Sequence, residues 1–564
     1  MNKILLLAAV PLMFSTQLFA KEELSIDHYK GNIEKAYEKM AVGAEAGPFK
    51  PNWDSLNSHN ATPDWFLDGK IGIYFHWGVY SVPAYGNEWY PNFMHAKPGT
   101  SRRSYYDHHV KTYGEPEDFG YHDLVPLFKA EKFDAEEWAE LFKASGARWA
   151  GPAAEHHDGF SMWASDLTPW NAENKGPKKD LTGLLSKAIK KQGIKFVTSF
   201  HNERGLKWYP RIEGYATTSS DPILQFLYMN IDPELYYKMF QTKLGEVIDK
   251  YEPDLIWFDS KMDLIPDEYH QRFLAYYFNK AKELNKEVVV TTKKRQYPEE
   301  VAVFDYEKGH SEHLTLFPWL VDDTVGSGSW SYTETLKIKS ADDVIDDFID
   351  AVSKNGQLLL NISPKADGTI PENQKQVLLE IGKWLKINGE AIYSTRPWFE
   401  FGEGPNRLDE EGIFVKSAKY VSKDVRYTRS KDNKTLFATL LDWPDTASFS
   451  LDILQVNGSD NGKVELLGHK GELKYTVENK KITVQLPNAK PGKYAYSFKL
   501  TGFETSLTPA AAANRKATIE SFKTNPPDKH PRGDKDKKEA GRKKYETKKK
   551  KNKNKNKNKK EINI

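Results

Sequence analysis

The chain is expected to be an α/β protein, a (β/α)8-like TIM barrel followed by an antiparallel β-sandwich. Three observations predict this. Strand-like and helix-like segments alternate from Trp65 to about Gly389, which implies right-handed β-α-β units around a parallel sheet. Several strand-like runs are almost continuously apolar, as strands covered on both faces are, and they stop at titratable or aromatic residues. After Trp398 the texture changes to short alternating runs, some of them separated by Asn-Gly and Asp-Asn-Gly turns.

Taken in order, residues 1–20 read as a secretory signal peptide. They carry a Lys near the start, a short apolar run and Ala20 at the exit. The apolar run is too short to span a bilayer, and no later segment reads as a membrane span. Export to the periplasm or the medium is expected. Residues 21–64 form an N-terminal extension, with a helix over 26–42 stopping at Gly43. The barrel occupies 65–395. Its strands are expected over 71–76, 148–157, 194–201, 254–259, 287–292, 301–307 and 357–363, with a weakly patterned eighth over 318–324. Helices are expected over 134–145, 181–192, 233–251, 266–285, 341–354 and 371–388. Several start after Asp or Ser, or with Pro in the first turn, and three are followed by Gly. The sandwich spans 396–503. Residues 504–564 form a basic tail that becomes almost entirely Lys, Asn and Glu from Lys543, and it is expected to be disordered.

The 564 residues suffice for more than one domain and a large core. Cysteine is absent, which excludes thiol chemistry, disulfides and cysteine-held metals. The net charge of +2 hides an asymmetry, since a basic tail makes the body net acidic. The tail is either a solvated appendage or a contact to an anionic polymer. A signal peptide makes nucleic acid a poor partner.

Chemistry concentrates where strands end. The first run stops at His76-Trp77-Gly78, and Glu88-Trp89-Tyr90-Pro91 follows. A carboxylate beside aromatics suits a sugar, whose apolar ring faces stack while its hydroxyls need polar partners. The second run ends in Glu155-His156-His157-Asp158-Gly159, and the third at His201. Metal chelation by the His pair is disfavoured. Adjacent residues on a strand face opposite sides, and no third His sits at suitable spacing. Neutral imidazoles donating to and accepting from hydroxyls fit better. The fourth run ends in Trp257-Phe-Asp259, and an acid there must be paired, hydrogen-bonded or reactive. Arg295 follows the fifth, and Asp305-Tyr-Glu307 closes the sixth. Two carboxylates at the mouths of different strands suit glycoside cleavage.

With these motifs the chain resembles the alpha-L-fucosidases of glycoside hydrolase family 29. The resemblance rests on Gly72-Ile-Tyr-Phe-His-Trp-Gly-Val-Tyr-Ser-Val-Pro-Ala84, Glu88-Trp-Tyr-Pro, His156-His-Asp-Gly-Phe and Trp257-Phe-Asp259, which occur in that order. It implies an exo-acting retaining hydrolase that needs no metal or other cofactor. It implies Asp259 as nucleophile, and His76, Glu88, His156 and His157 as holders of the fucose. Trp77, Trp89, Trp257, His201 and Arg295 complete the candidate substrate site, with one of the tryptophans against the C6 methyl group. The acid/base falls on Glu307, because the Pro-Trp-Glu motif used by some members reads Pro318-Trp-Leu here; Glu312 and Glu334 are next in line. Glu155 stands where the family often has Lys, and Ser260 where Gly is usual. A fucose-binding protein without activity, or a glycosidase for another deoxy- or galacto-configured sugar, is the alternative. The presence of both acids disfavours the first.

Overall fold

In the computed structural model, residues 25–524 are described, except 260, 294–296, 409–411, 416 and 459–460. The signal-peptide segment and most of the basic tail lie outside the described residues. Eight parallel strands close into a barrel: β1 (Ile71–Phe75), β2 (Trp149–Glu155), β3 (Lys195–Phe200), β4 (Leu255–Phe258), β5 (Val289–Thr292), β6 (Val303–Asp305), β7 (Trp319–Thr324) and β8 (Gly356–Ile362). Neighbours in sequence are neighbours in the wall, and β8 pairs with β1 through Ile71 opposite Leu358 and onward.

The weakly patterned run is thus a full strand. Its inward side chains are Leu320 and Asp322, and the polarity of Asp322 and Asp323 disguised it. Six of the eight crossovers carry a long helix: Ala135–Ala144, Leu181–Lys191, Pro233–Tyr251, Asp267–Glu283, Ala341–Ser353 and Glu372–Asn388. Among the described residues no helix follows β5 or β6 before the next strand.

Side-chain parity splits each strand. Tyr74, Trp149, Val197, Leu255, Trp257, Val289, Val303, Leu320 and Leu359 fill the barrel interior. Ile71, Ile73, Phe75, Phe196, Ile256 and Leu358 pack outward against the helices. The interior is crowded near β1 and β2, where Gly72 lies opposite Trp149 in register. A Cβ on Gly72 would sit 1.8 Å from the Trp149 indole, so the absence of a side chain there makes room for the largest residue of the layer.

The N-terminal helix runs over Ile26–Ala46, past the expected stop at Gly43. Gly43 serves packing instead, since a Cβ there would lie 2.6 Å from the Tyr276 ring. The helix ends under Asn279, whose amide nitrogen donates to the Gly43, Ala44 and Phe49 carbonyls at 3.0–3.2 Å while its oxygen accepts from Phe49 N–H. That satisfies carbonyls which a helix end otherwise leaves open.

Beyond the barrel a five-stranded antiparallel sheet lies in the order Thr395–Glu403, Val425–Ser430, Thr435–Leu440, Tyr496–Thr501, Lys463–Leu466. It shares a second core with a three-stranded sheet: Tyr427, Ala438, Leu466 and Phe498 meet Ile482 and Val484. The domain runs past its expected end at 503. Glu504–Leu507 pairs with Leu454–Gly458, and a helix follows over Pro509–Thr524. The alternating apolar residues Phe503 and Leu507 join the second core, which draws this segment into the domain. The two domains are bolted together by a buried charge cluster, in which Arg426 Nε donates to Asp350 Oδ1 at 2.6 Å and Lys354 Nζ lies 2.9 Å from Asp350 Oδ2. Among the described residues no helix is long and apolar enough to cross a membrane.

Gly72→Ala should lower the unfolding free energy by about 2–3 kcal/mol through overpacking against Trp149. Chemical denaturation of the variant checks this, and an unchanged midpoint would mean the layer has slack.

Candidate active site

The C-terminal ends of the barrel strands converge on one pocket, and parity decides which side chains enter it. His76 has the inward parity of Tyr74. Its backbone N–H and its Nδ1 both lie against Asn361 Oδ1, at 2.9 and 2.8 Å. Asn361 is held the right way round because its Nδ2 donates to the Trp330 carbonyl at 2.8 Å. An oxygen opposite Nδ1 makes that nitrogen the donor and leaves Nε2 as an acceptor.

Trp77, next along the chain, points out of the pocket. Its ring packs among Phe128, Phe133 and Trp138 and its Nε1 donates to the Lys365 carbonyl at 2.7 Å. The alternation of neighbouring side chains puts one of the pair inside and the other outside. Trp77 is therefore core, contrary to the sequence expectation.

Four imidazoles share the pocket. The His201 ring lies 4.9 Å from His76 and 4.6 Å from His156, and His156 lies 4.6 Å from His157. Burial pushes His76 down to about 3 and holds His156, His157 and His201 below the ordinary histidine value, so the cluster is neutral. Among the described residues the buried His156 Nδ1 has no hydrogen-bond partner. Ligand atoms of His76, His156 and His201 all lie within 4.8 Å of one another, as do those of His157, His201 and Asp259. The third histidine of the cluster comes from another strand, so spacing along the chain does not reveal it. Such a set matches the hydroxyls of a sugar as well as it matches a cation.

Glu155 does not enter the pocket. Its carboxylate is wholly buried, 2.7 Å from Lys243 Nζ and 2.6 Å from Ser161 Oγ. This pair ties the end of β2 to the helix Pro233–Tyr251. Asp158 fixes the following turn, accepting from Tyr121 OH at 2.6 Å.

The wall is aromatic. Trp89 is half-buried, with its ring 5.5 Å from His157 and 4.5 Å from Trp208. Trp257 forms the floor at 1 % exposure, beside His201 at 4.9 Å. Glu88 is buried, with Oε2 accepting from the Trp330 N–H at 3.0 Å, and burial raises its pKa. Trp208 and Trp330 went unpredicted. Trp208 ends a four-residue helix, Gly205–Trp208, and Trp330 sits in a loop, so neither lies in a segment long enough for periodicity to mark its side chain as inward.

The acids gather around one ammonium, which the sequence reading also missed. Lys293, just past β5, places Nζ 3.2 Å from Asp259 Oδ1, 3.1 Å from Glu307 Oε2 and 3.4 Å from Asp322 Oδ2. It stands over the Trp257 ring at 4.4 Å. Below it, Asp305 accepts from Trp257 Nε1 at 3.2 Å and from the Asp322 N–H at 2.9 Å, and Tyr74 OH donates to Asp322 at 3.0 Å.

The two mouth carboxyls are driven apart. Burial, the largest single influence, opposes ionisation of Asp259, and the Lys293 charge is the first of several that together outweigh it. His157, with Nε2 3.3 Å from Asp259 Oδ2, and His201 add to that, and the carboxyl sits well below its usual range. Burial pushes Glu307 up to about 7; Lys293 opposes this, while Asp322 and Asp259 reinforce it. At neutral pH one carboxyl is an anion, while the other titrates near 7 and still holds a proton in a substantial share of molecules. Arg295 lies outside the described residues. Of the other acids considered, Glu334 is exposed and Glu312 faces its neighbour His313 at 3.4 Å.

The comparisons bear on what this pocket is. The family model described as Alpha-L-fucosidase matches residues 36–390, and that described as Alpha-L-fucosidase C-terminal domain matches 418–501. The rat tissue alpha-L-fucosidase is 32% identical over 481 residues, which cover 82% of this chain and 96% of the relative. The human tissue alpha-L-fucosidase is 31% identical, covering 80% of this chain and 92% of the relative. A Thermotoga maritima alpha-fucosidase solved in complex with fucose superposes with a TM-score of 0.63 at 29% identity, covering 80% of this chain and 99% of that one. A barrel whose strand ends deliver this pocket, followed by the matching C-terminal domain, is a glycoside hydrolase fold, and the chain belongs to the alpha-L-fucosidase family.

Proposed function

We propose that the protein is an exo-acting, retaining alpha-L-fucosidase that releases terminal L-fucose from oligo- or polysaccharides by double displacement. One observation carries the mechanism: Asp259 and Glu307 reach the same Lys293 nitrogen, each within 3.2 Å. Their two oxygens therefore stand at most twice that far apart. Retaining glycosidases hold the carboxyls about 5–5.5 Å apart, and inverting ones about 6.5–9.5 Å, to admit a water between them.

The protonation states match the roles. Asp259, ionised, attacks C1 of the fucosyl unit. Glu307, protonated, gives its proton to the leaving oxygen as the C1–O bond breaks. A fucosyl ester on Asp259 results. Glu307, now an anion, takes a proton from water as that water attacks C1, the ester bond breaks, and fucose leaves with its configuration retained. Lys293 lies beside Glu307 throughout and limits how far the carboxyl's pKa rises.

Substrate binding follows from the neutral histidines. His76, His156 and His201 offer ring nitrogens to hydroxyls, His157 borders the sugar while its own nitrogens face the His201 carbonyl and Asp259, and Glu88 adds an acceptor. Trp257 closes the floor under the sugar and Trp89 borders it, either of them suited to the C6 methyl group. Arg295 keeps its candidate role on sequence grounds alone. No step requires a metal. Export rests on residues 1–20, and contact with an anionic polymer rests on the Lys-rich tail.

Asp259→Asn should abolish turnover of 4-nitrophenyl alpha-L-fucoside with the fold intact. Glu307→Gln should harm substrates with poor leaving groups far more than the aryl fucoside, and azide should restore the aryl reaction and yield a fucosyl azide. Substantial activity in homogeneous Asp259→Asn, or equal losses on both substrates without azide rescue, would reject these assignments. Wild-type release from the other 4-nitrophenyl glycosides, if it exceeded that from the fucoside, would reject the sugar.

Removing residues 525–564, beyond the helix Pro509–Thr524, should leave hydrolysis of small fucosides unaltered. It should lower retention on a sulfated or uronic-acid-rich polysaccharide column at low salt, because such contacts are screened as salt rises. Identical elution of the two forms would make the tail a solvated appendage.

A further inference from the structure

Glu307 stands one residue before a strained turn. Lys308 adopts a left-handed backbone with φ 45°, a conformation that favours glycine. Such a residue persists where its surroundings over-determine it. Part of the hold is the barrel's own. The Tyr306 and Lys308 N–H groups donate to the Leu320 and Asp322 carbonyls at 2.8 Å, and Gly309 N–H closes the turn onto the Tyr306 carbonyl at 3.0 Å.

The carbonyls of the same turn are held by the C-terminal domain. Phe414 N–H donates to the Glu307 carbonyl at 2.8 Å, and Val415 N–H to that of Lys308 at 3.1 Å. Gly412 and His310 exchange two backbone hydrogen bonds of 3.2 Å. Phe414 is itself left-handed, with φ 54°, and its ring is 61% exposed, so burial of the ring does not offset that strain. What the loop gains in this shape is its set of bonds to the Glu307 turn. Residues 412–415 belong to the connection between Thr395–Glu403 and Val425–Ser430, which is anchored elsewhere too. Asp424 accepts from the Asn406 and Val421 N–H groups at 2.9 and 2.8 Å, and Ser417 Oγ donates to Asp347 on the barrel helix Ala341–Ser353 at 2.6 Å.

The fit is close. A Cβ on Gly309 would lie 1.8 Å from the Gly412 oxygen and 3.0 Å from the Ile413 Cα, and its three nearest atoms all belong to this loop. Position matters for Glu307, because a general acid works only within hydrogen-bond reach of the oxygen it protonates, and a misplacement of about 1 Å can cost a hundredfold in rate.

We propose that the C-terminal domain positions the acid/base: the backbone of residues 412–415 holds the Glu307–Lys308 turn in the shape that directs the Glu307 carboxyl, so the catalytic unit spans both domains. The loop touches no reacting atom and acts through Glu307. This rests on Glu307 as the acid/base.

Two variants loosen the clamp from opposite sides. Gly309 is not left-handed, so in Gly309→Ala the added methyl group conflicts with the loop and not with its own backbone. Val415→Pro lies wholly in the C-terminal domain and removes the N–H that the Lys308 carbonyl accepts. The readout is the ratio of kcat/KM for a fucosyl disaccharide, whose leaving sugar needs a proton, to kcat/KM for fucosyl fluoride, whose fluoride departs with little help. General acid catalysis contributes about 10²–10⁴-fold, and its partial loss should lower the ratio about tenfold in each folded variant. If Gly309→Ala does not fold, Val415→Pro decides. A ratio that stays at the wild-type value, including the case in which both substrates suffer equally, would overturn the proposal and leave the loop a structural joint. Glu307→Gln measured beside them separates the underlying reading. An unchanged ratio in Glu307→Gln would place the acid elsewhere and remove the proposal with it, whereas a fall there without a fall in the loop variants would reject the clamp alone.

Discussion

The Lys293 ammonium is the interaction on which the site depends. Three carboxyls, Asp259, Glu307 and Asp322, lie within 3.4 Å of it, and Asp305 stands beneath them. So many acids in a water-poor barrel mouth would otherwise repel one another and take up protons. One cation at the centre stabilises the set and fixes its spacing. The asymmetry between the reactive pair comes from what each meets besides Lys293. Asp259 has His157 at 3.3 Å and ionises, whereas Glu307 faces Asp322 and Asp259 and keeps its proton near neutrality. Two like groups are thereby set to opposite tasks, the arrangement that acid–base catalysis by paired carboxyls needs.

The rest of the architecture serves that cluster. Tyr74, Trp257 and Asp305 form a hydrogen-bonded layer under the acids, and the apolar layer of Trp149, Val197, Leu255, Val289 and Leu359 seals the barrel below it. Above, the histidines are kept neutral by burial, so they meet hydroxyls without adding charge that would compete with Lys293. His76 is oriented by Asn361 of β8, and the turn carrying His156 and His157 by the buried Glu155–Lys243 pair. Breaking such a pair strands a charge, which makes Glu155 a residue of the scaffold.

Much of this was legible in the sequence, and the limits have physical causes. The barrel, its strand ends and the placement of His76, His156, His157, His201, Asp259 and Glu307 in one pocket followed from apolar runs that stop at titratable residues. The seventh strand was faint because Asp322 belongs to the reactive cluster and interrupts the apolar pattern. Trp77 was misplaced through neglect of parity: Tyr74 and His76 share a face, so Trp77 must take the other. Lys293 was hidden among three successive basic residues after β5, which residue type alone does not tell apart. Trp208 ends a helix of four residues and Trp330 comes from a loop, and neither is long enough to carry a period to read. The end of the β-sandwich was set too early, because the pair Glu504–Leu507 is short and its partner strand lies far back in the chain.

The pH dependence of kcat/KM in wild type and in Lys293→Met tests the account most directly. Activity needs Asp259 ionised and Glu307 protonated, so the wild type should lose activity as pH rises through about 7, the value to which Glu307 is pushed. Lys293 lowers the pKa of both carboxyls, so its removal should move both limbs of the profile to higher pH while reducing the maximum. A variant whose limbs stay where they are in the wild type, whatever its rate, would contradict the claim that Lys293 sets the two protonation states.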